Sequence, residues 1–164
     1  MAAVSITWYS FQTHTHKVGS RAYGWLLKKI LNHSVPEISV LEIAHKHHGF
    51  LFLDSRQRKE YEISHISNAR FISYAEDAVL LSALEGVPKH TAIIVYCSVG
   101  YRSEKTAEKL IKMGYTNIYN LYGGLFEWSN QNLPMYDANE GLTNQIHVFQ
   151  SHWGRWVKNG NKIC

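Results

Sequence analysis

The stretch that decides the fold is residues 93–103, IIVYCSVGYRS. It begins with β-branched and aromatic residues up to Tyr96, a pattern typical of a buried strand. After the loop, the apolar residues among 104–111 recur at the 3.6-residue period of an amphipathic helix, which Ser103 is predicted to cap. Cys97 is therefore predicted at the carboxyl end of a strand, facing the N-terminus of a helix.

This position makes Cys97 a candidate nucleophile, because a cysteine reacts as its thiolate. The N–H groups of a helix N-terminus and the guanidinium of Arg102 both favour the anionic sulfur. Backbone N–H groups of the loop can surround the developing charge, and Gly100 lets the chain curl tightly. The alternative is a small, inert, buried cysteine, the usual state of a free cysteine. Position and neighbours favour the reactive interpretation.

Length and composition limit the function classes. A chain of 164 residues is long enough for one domain with extensions, and its 45% apolar content predicts a packed core rather than disorder. The net charge of +4 comes from scattered basic residues, which favours small anionic substrates over nucleic acid. No apolar run approaches the ~20 residues of a membrane span, and no secretory signal is visible. A cytoplasmic protein is predicted, or a periplasmic one if a signal was removed.

Cysteines and histidines were the candidates for disulfides and metals. Only Cys97 and Cys164 occur, so a disulfide framework is excluded. The histidine groups within residues 14–16 and 45–48 lack a converging ligand set with a known spacing, so neither a metal site nor a cofactor is predicted. Cys164 could resolve a modified Cys97, but a simple exposed cysteine is the favoured interpretation.

Predicted strands alternate with predicted helices along the chain. Apolar or β-branched runs predict strands at residues 50–54, 69–72, 92–96 and 117–121. Residues 37–44 are predicted to enter a helix after the break at Val35-Pro36. The alternation predicts an α/β domain with a central, mostly parallel sheet flanked by helices. Such sheets place their sites at the carboxyl ends of strands, where Asp54 and Cys97 both stand.

The predicted domain, residues 35–136, is flanked by extensions at 1–34 and 137–164. Helical periodicity predicts an amphipathic helix at 21–32 and helical structure around the aromatic residues of 153–157. Either apolar set could bind a partner, and the first could bind a membrane surface. Packing against their own domain is the favoured interpretation for both.

An ordered set of short motifs resembles the rhodanese-like domain. The first part is Leu53-Asp54-Ser55-Arg56, Glu60-Tyr61 and residues 64–69, and the second is Tyr96-Cys97 through Arg102-Ser103, Gly114-Tyr115, Asn120-Leu121, Gly123-Gly124 and Trp128. Together these motifs cover about residues 35–136 in the family's order. Ser64 and Ser67 depart from the family's usual glycine and proline, in a segment that is scaffold.

The resemblance implies a rhodanese-like three-layer fold and a single-domain sulfurtransferase. Cys97 would carry a sulfane sulfur as a persulfide, taken from thiosulfate or a thiol persulfide and passed to cyanide, a small thiol or a protein thiol. The resemblance also assigns binding and supporting roles. The backbone N–H groups of the loop would cradle the persulfide, at Ser98, Val99, Gly100, Tyr101 and Arg102. Asp54 and Arg56 would support the loop rather than react, and His65 would be structural.

Loop length separates the alternatives. The six residues from Cys97 to Arg102 resemble the sulfur-handling branch, whereas related phosphatases and arsenate reductases carry one more residue before the arginine. The residues between Cys97 and Arg102 carry no positive charge, which predicts weak turnover of thiosulfate. A non-catalytic rhodanese-like interaction or sensing module is the alternative, and the joint presence of Cys97 and Arg102 counts against it. A phosphatase or arsenate reductase is the third possibility.

Overall fold

A five-stranded parallel sheet lies at the centre of the computed structural model, which describes residues 18–44 and 49–164. Its strands are β1 (Glu37–Ser39), β2 (Leu51–Asp54), β3 (Arg70–Phe71), β4 (Ile93–Tyr96) and β5 (Ile118–Tyr122). They lie in the order β1-β5-β4-β2-β3, and every neighbouring pair is parallel. The predicted α/β architecture with a parallel sheet is confirmed.

Within these described residues, six α-helices cover the two faces of the sheet. They are α1 (Arg21–Ile30), α2 (Val40–Ile43), α3 (Arg58–Ile63), α4 (Asp77–Ala83), α5 (Tyr101–Lys112) and α6 (Gly124–Asn130). Successive residues of β4 point to opposite faces, so Ile93 packs with α4 and α5 while Ile94 packs with α1, α2 and α6. The central strand is therefore buried on both sides, which explains its continuous apolar run.

Residues 37–39 are strand β1, so the prediction that they enter a helix was wrong. Backbone pairing with Asn120–Tyr122 decides the conformation and leaves only four residues, Val40–Ile43, for the helix. Ser39 ends the strand and caps this short helix through a capping box, in which the Ser39 hydroxyl accepts from the Glu42 N–H and the Glu42 carboxylate accepts from the Ser39 N–H.

Helix α5 begins at Tyr101, earlier than the predicted cap at Ser103. Gly100 precedes it with a φ of 115°, a left-handed conformation that favours glycine. The Ser103 hydroxyl lies inside the first turn, 2.7 Å from Asn120 Oδ1 and 3.1 Å from the Gly100 carbonyl oxygen. Arg102 is therefore part of the first helical turn.

Both extensions pack against the domain. The predicted N-terminal helix is confirmed as α1, which buries Tyr23 and Leu27. The C-terminal extension is less helical than predicted, because strand pairing organises most of it. Strands β6 (Met135–Tyr136) and β7 (Leu142–Thr143) form one pair, β8 (Gln145–His147) and β9 (Asn161–Ile163) form another, and Ser151–Trp156 is a 3₁₀ helix. In the part of the chain that the structure describes, no helix is long and apolar enough to cross a membrane.

Candidate active site

Cys97 lies at the carboxyl end of β4, where its side chain is 1% exposed. Its Sγ accepts a hydrogen bond from the Gly100 N–H at 3.1 Å. The strand, the loop of residues 97–102 and the helix are thus arranged as the sequence predicts. A backbone donor aimed at the sulfur is suited to holding negative charge there.

The carbonyl groups of the loop bond to the surrounding protein. The first turn of α6 donates to two of them, from Leu125 N–H to Cys97 O at 2.9 Å and from Phe126 N–H to Ser98 O at 3.0 Å. The Asn120 amide donates to the Gly100 carbonyl oxygen at 3.0 Å. These bonds satisfy the carbonyl oxygens of Cys97, Ser98 and Gly100 away from the sulfur's own hydrogen bond, which comes from the Gly100 N–H.

Two glycines allow α6 to come this close to the loop. Gly123 and Gly124 have φ values of 85° and 57°, and a Cβ on Gly124 would lie 2.4 Å from the Cys97 carbonyl oxygen. No side chain fits at that separation. The Gly123-Gly124 pair is therefore the structural condition for the hydrogen bonds between α6 and the loop.

Arg102 forms a two-point ion pair with Glu60 of α3. Its Nη1 and Nη2 donate to the two carboxylate oxygens at 2.8 and 2.9 Å, and the Ser98 hydroxyl donates to the same carboxylate at 3.1 Å. Burial would raise the pKa of Glu60, but the hydrogen bond and charge of Arg102 outweigh it and lower that pKa to about 2. Burial would lower the pKa of Arg102, and the hydrogen bond to Glu60 raises it instead. The guanidinium is therefore matched by a permanent carboxylate.

Glu60 is one of the site residues that sequence reasoning missed. It belongs to a quoted motif, but no role was assigned to it, because its partner is 42 positions away along the chain. Only the position of α3 beside the loop brings the two side chains together.

Asp54 and Arg56 form a second, fully buried ion pair next to α3. Arg56 donates from Nε to Asp54 Oδ1 at 3.0 Å and from Nη2 to Asp54 Oδ2 at 2.7 Å, and it also donates to the Ser64 carbonyl oxygen. These bonds fasten both ends of α3 to the end of β2. The pair therefore supports the helix that carries Glu60. Its effect on the loop is indirect, because Glu60 is the residue that bonds to Ser98 and Arg102. His65 packs nearby, with its ring stacked on Tyr61 at 4.0 Å.

A cavity of about 400 Å³ opens over Cys97. Its wall is almost entirely apolar and consists of Cys97, Ser98, Val99, Tyr101 and Arg102 from the loop and α5, and of Ile30, Phe149 and Trp153 from the two extensions. The first five residues were predicted from the sequence. The last three were missed as site residues, although the spacing of the tryptophans marked Trp153 as a docking residue.

The remaining sequence candidates were metal ligands and a second thiol. In residues 18–44 and 49–164, no group of three or more His, Cys, Asp or Glu side chains could hold a metal ion. Both histidine groups of the sequence analysis lie outside the described residues. Cys164 is a free, exposed cysteine that follows β9.

Known families and proteins resemble this chain. The rhodanese-like domain family matches residues 38–131. The chain is 33% identical over 95 residues to the thiosulfate sulfurtransferase GlpE of Coxiella burnetii, covering 58% of this chain and 85% of that protein. It is 30% identical over 92 residues to the tRNA uridine(34) hydroxylase of Photorhabdus laumondii, covering 52% of this chain and 26% of that protein.

A solved structure supports the fold. The rhodanese-like domain of the Anabaena protein Alr3790 superposes with a TM-score of 0.56 at 23% identity, covering 65% of this chain and 83% of that one. The family match spans the parallel sheet from β1 to β5, the loop after β4 and helix α6. The chain belongs to the rhodanese-like family.

Proposed function

We propose that this protein is a sulfurtransferase that carries a sulfane sulfur as a persulfide on Cys97. The observation that carries the proposal is the Cys97 Sγ itself, at the end of β4 and 3.1 Å from the Gly100 N–H. The carbonyl oxygens of Cys97, Ser98 and Gly100 have partners outside the loop, and we expect the loop N–H groups to stabilise a terminal, negatively charged sulfur. The thiosulfate sulfurtransferase relative supports the same reaction class.

The proposed cycle has two covalent steps. The Cys97 thiolate attacks the sulfane sulfur of a donor, the donor's bond to that sulfur breaks, and its electron pair leaves with the remainder of the donor. The leaving group is sulfite when the donor is thiosulfate and a thiolate when it is a thiol persulfide. An acceptor, which is cyanide, a small thiol or a protein thiol, then attacks the terminal sulfur and releases the Cys97 thiolate. Ping-pong kinetics follow from this order.

The site residues divide these tasks. The loop N–H groups stabilise the charge on the outer sulfur, while Arg102 and Glu60 hold Ser98 through hydrogen bonds to its hydroxyl. Asp54 and Arg56 keep α3, and hence Glu60, in place.

Intact-mass spectrometry tests the proposal. A Cys164→Ser variant removes the second thiol, so any gain in mass reports on Cys97. We expect thiosulfate or glutathione persulfide to add one sulfur atom, cyanide to remove it with release of thiocyanate, and Cys97→Ser in the same background to gain nothing. If neither donor adds sulfur, the protein is not a sulfurtransferase of this type, and the non-catalytic rhodanese-like module becomes the better hypothesis.

A further inference from the structure

The cavity over Cys97 has a roof, defined here as Ile30, Phe149 and Trp153, that lies outside the family-matched residues 38–131. We infer that this roof selects a particular class of sulfane-sulfur donor over thiosulfate. A donor of this class has an apolar organic body and a single negative charge on its sulfur end. The inference rests on the proposed function and names the class of substrate for it.

The N-terminal part of the roof is fastened to the domain. The Tyr23 hydroxyl of α1 donates to the Gly123 carbonyl oxygen at 2.8 Å, and Leu27 is fully buried. After the helix, the Glu104 carboxylate accepts from the Asn32 N–H at 3.0 Å and from the Ser34 N–H at 3.0 Å. Ile30 stands between these fixed points, so its place in the cavity wall is set by the fold.

The C-terminal part of the roof is equally well fixed. The Val148 N–H donates to the Ile163 carbonyl oxygen at 2.8 Å, and the Phe149 N–H donates to His147 Nδ1 at 2.9 Å. Burial lowers the pKa of His147, which keeps its ring neutral and able to accept that bond near neutral pH. These bonds hold Phe149 beside the cavity with a φ of 64°.

The two segments that carry the roof also contact each other, through residues next to it. The ring of Tyr23 stacks on the ring of Trp156 with centroids 5.6 Å apart. Asn130 of α6 anchors the same segment, since its amide donates to the Trp156 carbonyl oxygen at 2.9 Å. The roof is therefore one connected structure over the loop.

Charge in the cavity disfavours a dianion. Arg102 is the cation in the wall, and Glu60 compensates it at 2.8 and 2.9 Å. The aromatic ring of Phe149 covers the guanidinium from another side, with its centroid 5.2 Å away. Moving thiosulfate from water into this apolar cavity would remove the hydration of two negative charges without a free cation to replace it.

Size and surface favour an organic donor. A cavity of about 400 Å³ falls within the range of roughly 300–1,000 Å³ that is typical of sites for organic small molecules. A donor with an apolar body would bury that body against the roof while its anionic sulfur meets the loop N–H groups. A compact oxyanion would leave most of the roof unused.

Three probes separate charge from apolar contact: thiosulfate, methanethiosulfonate and benzenethiosulfonate. In each, the Cys97 thiolate attacks the terminal sulfur and the bond between the two sulfurs breaks. The electron pair leaves with sulfite, methanesulfinate or benzenesulfinate, respectively. The product is the Cys97 persulfide anion, and the step consumes no proton, oxidant or reductant.

The measurement is the second-order rate constant for loading of the Cys164→Ser protein, divided by the rate constant of the same probe with free glutathione. We expect this corrected rate to be at least ~10-fold higher for benzenethiosulfonate than for methanethiosulfonate, and lowest for thiosulfate. Phe149→Ala or Trp153→Ala should reduce the benzene-to-methane ratio several-fold, and Phe149→Leu should retain part of it.

Two further variants complete the test. Leu142→Ala changes an apolar side chain of the same extension that is 74% exposed and outside the cavity, and should leave the ratio unchanged. Ile30→Asn changes the roof from α1 and should lower the ratio even if a C-terminal variant fails to fold. A ratio near one, a preference for thiosulfate, or no effect of the roof variants would overturn the inference while Cys97 still loads. No loading from any probe would overturn the proposed function as well.

Discussion

The Cys97 site has two sides, a floor below the sulfur and the roof above it, and they present different chemical groups. The floor is the loop of residues 97–102 with the first turn of α6, and it works through backbone groups that are held by hydrogen bonds. The roof works through apolar side chains, and those side chains come from segments outside the family match. In the proposed function, the floor performs the sulfur chemistry and the roof adjusts the choice of donor. Substitutions in the floor should abolish persulfide loading, whereas substitutions in the roof should change which donor loads fastest.

Gly124→Ala should have the largest effect, because the added Cβ would meet backbone atoms of the floor rather than a flexible side chain. The new Cβ would lie 2.4 Å from the Cys97 carbonyl oxygen and 2.7 Å from the Ser98 carbonyl carbon. We expect a loss of more than about 4 kcal/mol in the free energy of unfolding, together with loss of persulfide loading. Urea denaturation and the mass assay measure the two effects.

Gly86→Ala is the matched control for that variant. Gly86 also has a positive φ, 71°, but a Cβ there would meet nothing within 4 Å. Conformational strain alone should cost about 1 kcal/mol and leave loading intact. Equal losses in the two variants would show that close approach of α6 to the loop is unimportant.

Glu60→Gln should have the next largest effect, because it leaves the partly buried Arg102 without its counter-charge. We expect a loss of about 3 kcal/mol in the free energy of unfolding. Glu108→Gln is the control, because its ion pair with Lys105 at 2.8 Å is screened by solvent and its loss should destabilise the protein much less. Any folded Glu60→Gln protein should also load thiosulfate better relative to benzenethiosulfonate, because the guanidinium is then uncompensated.

The same ion pair predicts the direction of the pH dependence. The pKa of Glu60 falls from an ordinary 4.5 to about 2 on folding, so its contribution to stability is complete above pH 4.5 and is lost as the pH falls toward 2. Urea denaturation gives the free energy of unfolding at about pH 5 and at about pH 3. Its decrease between these two pH values should be smaller for Glu60→Gln than for the parent protein. Identical losses in both proteins would place the acid sensitivity at other groups.

Tyr23→Phe should have the smallest effect, because it removes one hydrogen bond under the roof and keeps the ring. The hydroxyl donates to the Gly123 carbonyl oxygen at 2.8 Å, and its loss should cost about 1 kcal/mol. We expect unchanged loading from methanethiosulfonate and a slightly lower benzene-to-methane ratio. A complete loss of loading would mean that α1 belongs to the floor rather than to the roof.

The fold and the floor could be predicted because their signals are local. The apolar run of β4, the periodicity of α5 and the cysteine between them lie within one short stretch, and the alternation of strands and helices extends the same logic. The error at β1 shows the limit. Residues 37–39 directly precede the apolar residues of α2 and were assigned to the same helix, but pairing with β5, about 80 positions away, decides their conformation.

The partners of Arg102 could not be predicted, because they lie more than 40 positions away along the chain. Glu60 is an ordinary acidic residue of a short helix, and Phe149 an ordinary residue after a short strand, until tertiary structure brings both to Arg102. Sequence reasoning therefore described Arg102 as a cation available to the sulfur. The structure shows it occupied by a carboxylate on one side and an aromatic ring on another.

The contact between Tyr23 and Trp156 has a consequence for the chemical lifetime of the thiol. It stacks α1 on the 3₁₀ helix at Ser151–Trp156, so the two segments that carry the roof stay together over the loop. Cys97 is 1% exposed in this arrangement. Oxidation of a cysteine beyond the sulfenic acid is generally irreversible, and a buried sulfur meets fewer oxidants from solution. The same contact therefore protects the sulfur between reactions, in addition to the donor selection inferred above.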